Sequence, residues 1–171
     1  MSNELFDFSV PAFLRGHGIL AELLTKAEGH AVEHKIAPTE LLSARLFPDM
    51  FPLSGQVGAA CDTAKRTVAR LVGAEPPRHE DNQPSFEELH VRIQNASAFV
   101  NSHPVDAFSA AGQRIIEMSM GTERVKLTPH QYLTRFALPN FYFHVTTAYD
   151  ILRHNGVILG KRDFLGPLAM A

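Results

Sequence analysis

The residues of this chain that could do chemistry gather in a few short stretches. The densest is Leu138-Pro139-Asn140-Phe141-Tyr142-Phe143-His144. Asn140 and His144 are four apart, so on a helix they share one face, with Tyr142 and two phenylalanines around them. A few polar groups converging in an apolar setting is the usual make-up of a small-molecule site. The alternative is a buried histidine whose ring nitrogens are satisfied by neighbours, Asn140 among them. His144 is the residue placed to act as an acid or base, since a free imidazole titrates near pH ~6.5. A second stretch, His30-Ala31-Val32-Glu33-His34, spells H-x-x-E-H, and its histidines stand one helical turn apart, within reach of a shared metal. It closes a helix beside Lys35, where histidines complement the helix dipole, and it reads better as a solvated helix end. Cys61 lies on an apolar stripe and reads as a small buried hydrophobe rather than a reactive thiol. Asp62, Arg66 and Arg70, at steps of four, read as an ordinary ion-pair series on a helix surface.

Helices must position these groups. Ser9-Val10-Pro11 reads as a helix entry with Pro11 in the first turn, where a missing N–H is harmless. Phe13, Leu20, Leu23, Leu24 and Ala27 then continue at helical spacing to His34. Gly16, Gly18 and Gly29 each weaken that helix by about 1 kcal/mol relative to Ala, unless they mark the close approach of a neighbour. Pro38-Thr39-Glu40 begins a short helical turn. A second long helix is predicted over 52–72. Leu53, Val57, Ala60, Cys61, Ala64, Val68 and Leu71 form its stripe, with Thr63, Lys65, Arg66 and Arg70 off it and Gly73 as its stop. Asp49 reads as a cap for this helix or for the turn before it. Residues 75–84, with three prolines, read as a loop. Ser85-Phe86-Glu87-Glu88 has capping-box spacing and opens a third helix that buries Phe86, Leu89, Ile93, Ala96 and Val100, ended by Pro104. Residues 115–127 read as a β-hairpin turning at Gly121-Thr122. Thr128-Pro129 opens the last helical region, which Pro139 is expected to split. A short helix over 129–137 should precede a fourth long helix over 139–153, with Leu138 pushed from helical angles. The tail, 157–171, reads as irregular.

The chain has 171 residues, 45% of them apolar and 20% charged, which suits one domain over 1–171 with its own core. Sixteen basic and eighteen acidic residues give a formal charge of −2, so no electrostatic footprint for nucleic acid exists. No basic amphipathic segment points to a membrane surface, and no apolar run approaches the ~20 residues that span a bilayer. The only cysteine is Cys61, which excludes an intramolecular disulfide. Together with an N-terminus unlike a signal peptide, it predicts a cytoplasmic protein.

The stretches LLSARLFPDMFPLSGQVGAACDTAKRTVARL and FALPNFYFHVTTAYDILRHNG closely resemble a bacterial family of unknown function within the DinB/YfiT-like superfamily of candidate metalloenzymes. The likeness covers about 6–166. It implies an all-α fold: a four-helix bundle of up-down-down-up connectivity with a small β-hairpin before the last helix, commonly a homodimer. Many such proteins hold a divalent metal with three histidines, one on the second helix and two on the fourth. The resemblance places His144 on a ligand position, with Asn140 and Gln56 where its partners would stand. Neutral amides are poor ligands for zinc or nickel. The site at Gln56, Asn140 and His144 is therefore expected to be degenerate, with no cofactor or at most weakly held zinc or nickel.

Three functions compete. In the first, the bundle binds a small polar ligand through His144, Gln56, Asn140, Tyr142 and Asp49. In the second, it is a metal- or thiol-cofactor-dependent transferase or hydrolase. In the third, it is a structural dimer. An open cavity walled by Asn140 and His144 favours the first, three converging imidazole or carboxylate groups the second, and a closed, dry interior the third. Tyr149, Asp150, Arg153 and His154 are lesser candidates for a pocket, dimer or anion contact.

Overall fold

The structure, a computed structural model, describes residues 3–79 and 85–166. The end of the loop expected over 75–84 and residues 167–171 of the tail lie outside the described residues. An asparagine starts the first helix, α1 (Glu4–His34): the Asn3 side chain accepts from the N–H groups of Leu5 and Phe6, at 3.1 and 3.4 Å. Pro11 is therefore inside the helix and not in its first turn, which corrects the expected start. Proline in a helix interior costs about 3 kcal/mol. Here the added turns bring Leu5 and Phe6 onto the core, Phe6 meeting Phe108 edge-on at 5.3 Å, and that packing outweighs the lost bond.

A short helix, α2 (Pro38–Ser43), leads to α3 (Leu53–Val72), which ends at Gly73 in the left-handed conformation (φ 77°). The stripe from Leu53 to Leu71 is buried as the spacing predicts. Thr63 and Lys65 are buried too, although they lie off that stripe, because α3 has neighbours on two sides. Helix α4 (Phe86–Asn101) buries Phe86, Leu89, Ile93, Ala96 and Val100. The Ser85 hydroxyl accepts from the Glu88 N–H at 3.0 Å. Two 3₁₀ turns lead to the hairpin, β1 (Ile116–Met120) paired antiparallel with β2 (Glu123–Leu127).

The last helical region departs from expectation. It does not break at Pro139. Helix α5 (Pro129–Tyr132), capped by a reciprocal Thr128–Gln131 pair, runs through a π-helical turn (Leu133–Ala137) directly into α6 (Leu138–His154). Leu138 keeps helical angles (φ −65°, ψ −48°), and its N–H bonds to the Leu133 carbonyl five residues back. The wider turn takes the backbone past the proline, which cannot donate and whose ring crowds the preceding turn of a regular helix. In the tail, a further short helix, α7 (Lys161–Leu165), replaces the expected irregular chain.

Helix α3 packs between α4 and α6, and α1 closes the bundle against α4 and α6. The architecture is a helical bundle with one small hairpin. Gly16 lets α1 and α6 meet: a Cβ there would sit 2.3 Å from the Phe141 ring, a distance no side chain tolerates. No described helix is long and apolar enough to cross a membrane.

Candidate functional site

The seam between α3 and α6 brings Gln56, Thr63, Asn140 and His144 together. Gln56 of α3 is almost fully buried, and its Nε2 donates to the Phe51 carbonyl at 3.1 Å. A carbonyl can only accept, which fixes the amide's orientation. Its Oε1 therefore faces His144 Nδ1, at 2.7 Å, and must accept there. The His144 proton is thus on Nδ1, and Nε2 carries the lone pair. Burial lowers the His144 pKa from its ordinary value, which keeps the ring neutral near pH 7. Phe51 stacks on the imidazole at 6.4 Å, and Phe143 meets it edge-on at 5.4 Å.

One turn earlier on α6, Asn140 is oriented in the same way. The Thr63 hydroxyl donates to the Ala59 carbonyl at 2.7 Å and accepts from Asn140 Nδ2 at 2.8 Å. Asn140 Oδ1 is left as an acceptor.

Asn140 and His144 share the wall of a cavity of about 560 Å³, to which Thr63, Tyr132 and Phe136 also contribute. That volume is in the range of small-molecule sites. The π turn matters here. Residues 132, 136, 140 and 144 step by four, and on a regular helix they would drift around its surface; the wider turn holds them on one side. The hairpin contributes Met118 and Ser119 to the lining.

The cavity's charged wall was not foreseen. Arg66, Arg70 and Arg92 line it, with Asp62 the one acidic lining residue described. Asp62 meets Lys65 and Arg92 at 3.2 Å each, and Arg66 only at 3.8 Å. Gly58 makes room for the Arg92 guanidinium, which a Cβ would meet at 3.0 Å. Arg70 donates to the Tyr132 hydroxyl at 2.9 Å and lies over its ring, 5.4 Å from the centroid. The steps of four in the sequence foretell only the weak Asp62–Arg66 pair, and Arg92 reaches Asp62 from another helix.

Two predicted site residues lie elsewhere. Tyr142 points to another side of α6, against Phe141, and does not line the cavity; two residues from Asn140 on a helix is nearly the opposite face. Asp49 is exposed in the loop before α3, whose cap is Pro52 with no side-chain bond. Cys61 is fully buried, its thiol pushed up to about 12 by burial. The His30 and His34 rings lie tilted against each other at 4.1 Å, and His34 Nδ1 bonds to the His30 carbonyl at 3.0 Å within the same helix.

A buried histidine went unnoticed in the sequence. His17 of α1 is 1% exposed; Nδ1 meets the Ser97 hydroxyl at 3.0 Å, and Nε2 has no hydrogen-bond partner among the described residues. Burial, then the Lys65 cation, lowers its pKa to about 4. Its place on the stripe with Phe13, Leu20 and Leu24 is the signal that could have found it.

Neutral amides stand at two of the three positions where the resemblance leads one to expect metal ligands, and amides are poor donors for zinc or nickel. Gln56 spends both ends of its amide on protein partners, Asn140 has an N–H committed to Thr63, and His144 alone supplies an imidazole. Among the described residues, no three His, Cys, Asp or Glu side chains stand together so as to hold a metal ion.

Comparison with known proteins bears on the fold. A crystal structure of a DinB family member protein from Shewanella denitrificans is 38% identical, with a TM-score of 0.89, over 98% of this chain and 95% of that chain. No curated protein matches. The family described as a domain of unknown function, DUF1993, matches residues 5–165. With nearly all of its length matched, the chain belongs to the DUF1993 family and has a DinB-like bundle fold.

Proposed function

We propose that this protein binds a small polar ligand in the cavity between α3 and α6. The observation that carries this reading is the tethered ring of His144. Its Nδ1–H is held by Gln56 at 2.7 Å, while the ring stands on the cavity wall. Nε2 is then a fixed, neutral acceptor with no protein partner among the described residues, and Asn140 lines the same cavity. Preorganised acceptors of this kind favour a ligand that brings hydroxyl or amine donors, because little ordering is left for binding to do. If the ligand reacts in the cavity, His144 Nε2 is the group that takes its proton. No step passes through a metal, since the donors present do not suit one.

Thermal unfolding across a panel of small polar metabolites tests the proposal. A ligand at a hundredfold its Kd adds about 2.7 kcal/mol of stability, a rise in Tm of roughly 5 °C or more for a chain of this length. The expected result is such a rise for the native protein and its loss in His144→Ala. An equal rise in both proteins, or none in either, contradicts the reading.

A further inference from the structure

The cavity's charges say what else the ligand carries. Asp62 is held by Lys65 and Arg92 at 3.2 Å each, so its carboxylate is already compensated within the protein. Arg66 is 65% exposed and only 3.8 Å from Asp62, a surface pairing that contributes little. Arg70 is held in place by the Tyr132 hydroxyl, a neutral partner, and keeps its full charge. Both line the same cavity as Asn140 and His144. The lining therefore includes two guanidinium groups with little internal compensation. It also includes two acceptors, on Asn140 and His144.

A neutral polyol would leave the guanidinium wall unmatched, and a cation would be repelled by it. Guanidinium groups match the planar carboxylate and the phosphate by paired, charge-assisted hydrogen bonds. Resting on the ligand-binding reading above, we propose that the ligand is a small oxyanion, a carboxylate or phosphate ester, whose anionic group lies between Arg66 and Arg70. A hydroxyl or amine elsewhere on the same molecule donates to Asn140 and His144.

The inference is tested with matched probes that share a polyol body and differ in charge: glycerol 3-phosphate, glycerate and glycerol. Binding is followed by imidazole and backbone NMR shifts in the full chain, using the native protein, Arg66→Gln and Arg70→Gln. Both arginines are at exposed positions on α3, so the variants should keep the fold, and their backbone spectra report whether they do. The expected result is that one or both anionic probes shift the resonances of His144 and Asn140 while glycerol does not. Each arginine variant should weaken that probe about tenfold. Whether glycerol 3-phosphate or glycerate binds more tightly separates phosphate from carboxylate recognition. If glycerol shifts His144 as strongly as the anions, or if the arginine variants bind the anions unchanged, the oxyanion proposal is overturned while the cavity remains a binding site. If no probe moves His144 or Asn140, the oxyanion proposal is overturned, and the metabolite panel decides the wider reading separately.

Discussion

Burial lowers the pKa of both His17 and His144, with different consequences. His17 is sealed among α1, α4 and α6, one ring nitrogen having no hydrogen-bond partner among the described residues, and its pKa is lowered to about 4. In the unfolded chain it titrates near 6.5. Between these values the unfolded state binds the extra proton, so stability rises with pH through the window. His17 thus contributes stability that is complete above pH ~6.5 and lost as the pH falls toward ~4, worth about 3 kcal/mol in all. Urea unfolding at a series of pH values should show this slope, and His17→Leu should flatten it. His144 is tied to Gln56 instead. Gln56→Glu would place a carboxylate against Nδ1–H and should raise the His144 pKa above its native value, as read by NMR titration. That Asn140 and His144 share one face was legible because four residues make about one helical turn. The arginine wall was not, because Arg92 and Asp62 come from separate helices and Arg70 depends on a tyrosine 62 residues away.

At the scale of the element, most of the architecture is written in local signals. Gly73 stops α3, Ser85 caps α4, and the hairpin turns at Gly121. Proline misled twice. Pro11 and Pro139 both read as boundaries by their own chemistry, yet both lie within continuous helix. Packing of Leu5 and Phe6 overrides the first, and a π turn absorbs the second; neither is visible in a local window. The meeting of α1 with α6 turns on Gly16, so Gly16→Ala should cost about 1–3 kcal/mol through displacement of the Phe141 ring, checked by chemical denaturation. Gly18 has open space beyond it, and Gly18→Ala should stabilise the helix by up to about 1 kcal/mol. The contrast between two glycines on one helix separates steric need from propensity.

The whole molecule makes its cavity by placing α3 between α4 and α6 and bringing the hairpin alongside. None of these elements carries the site alone: α3 supplies Thr63 and two arginines, α6 supplies Asn140 and His144, and β1 adds Met118 and Ser119. Where related bundles are expected to place three imidazoles, this one has a histidine held by an amide. The central claim is that Gln56 holds the His144 proton on Nδ1 while burial keeps the ring neutral, leaving Nε2 as the acceptor at the cavity wall. Long-range ¹H–¹⁵N NMR of the histidine rings at pH 7, with His144→Gln to assign the signal, tests it most directly. The expected result is a neutral His144 protonated on Nδ1, with Nε2 unprotonated; a ring protonated on Nε2, or charged at that pH, would contradict it.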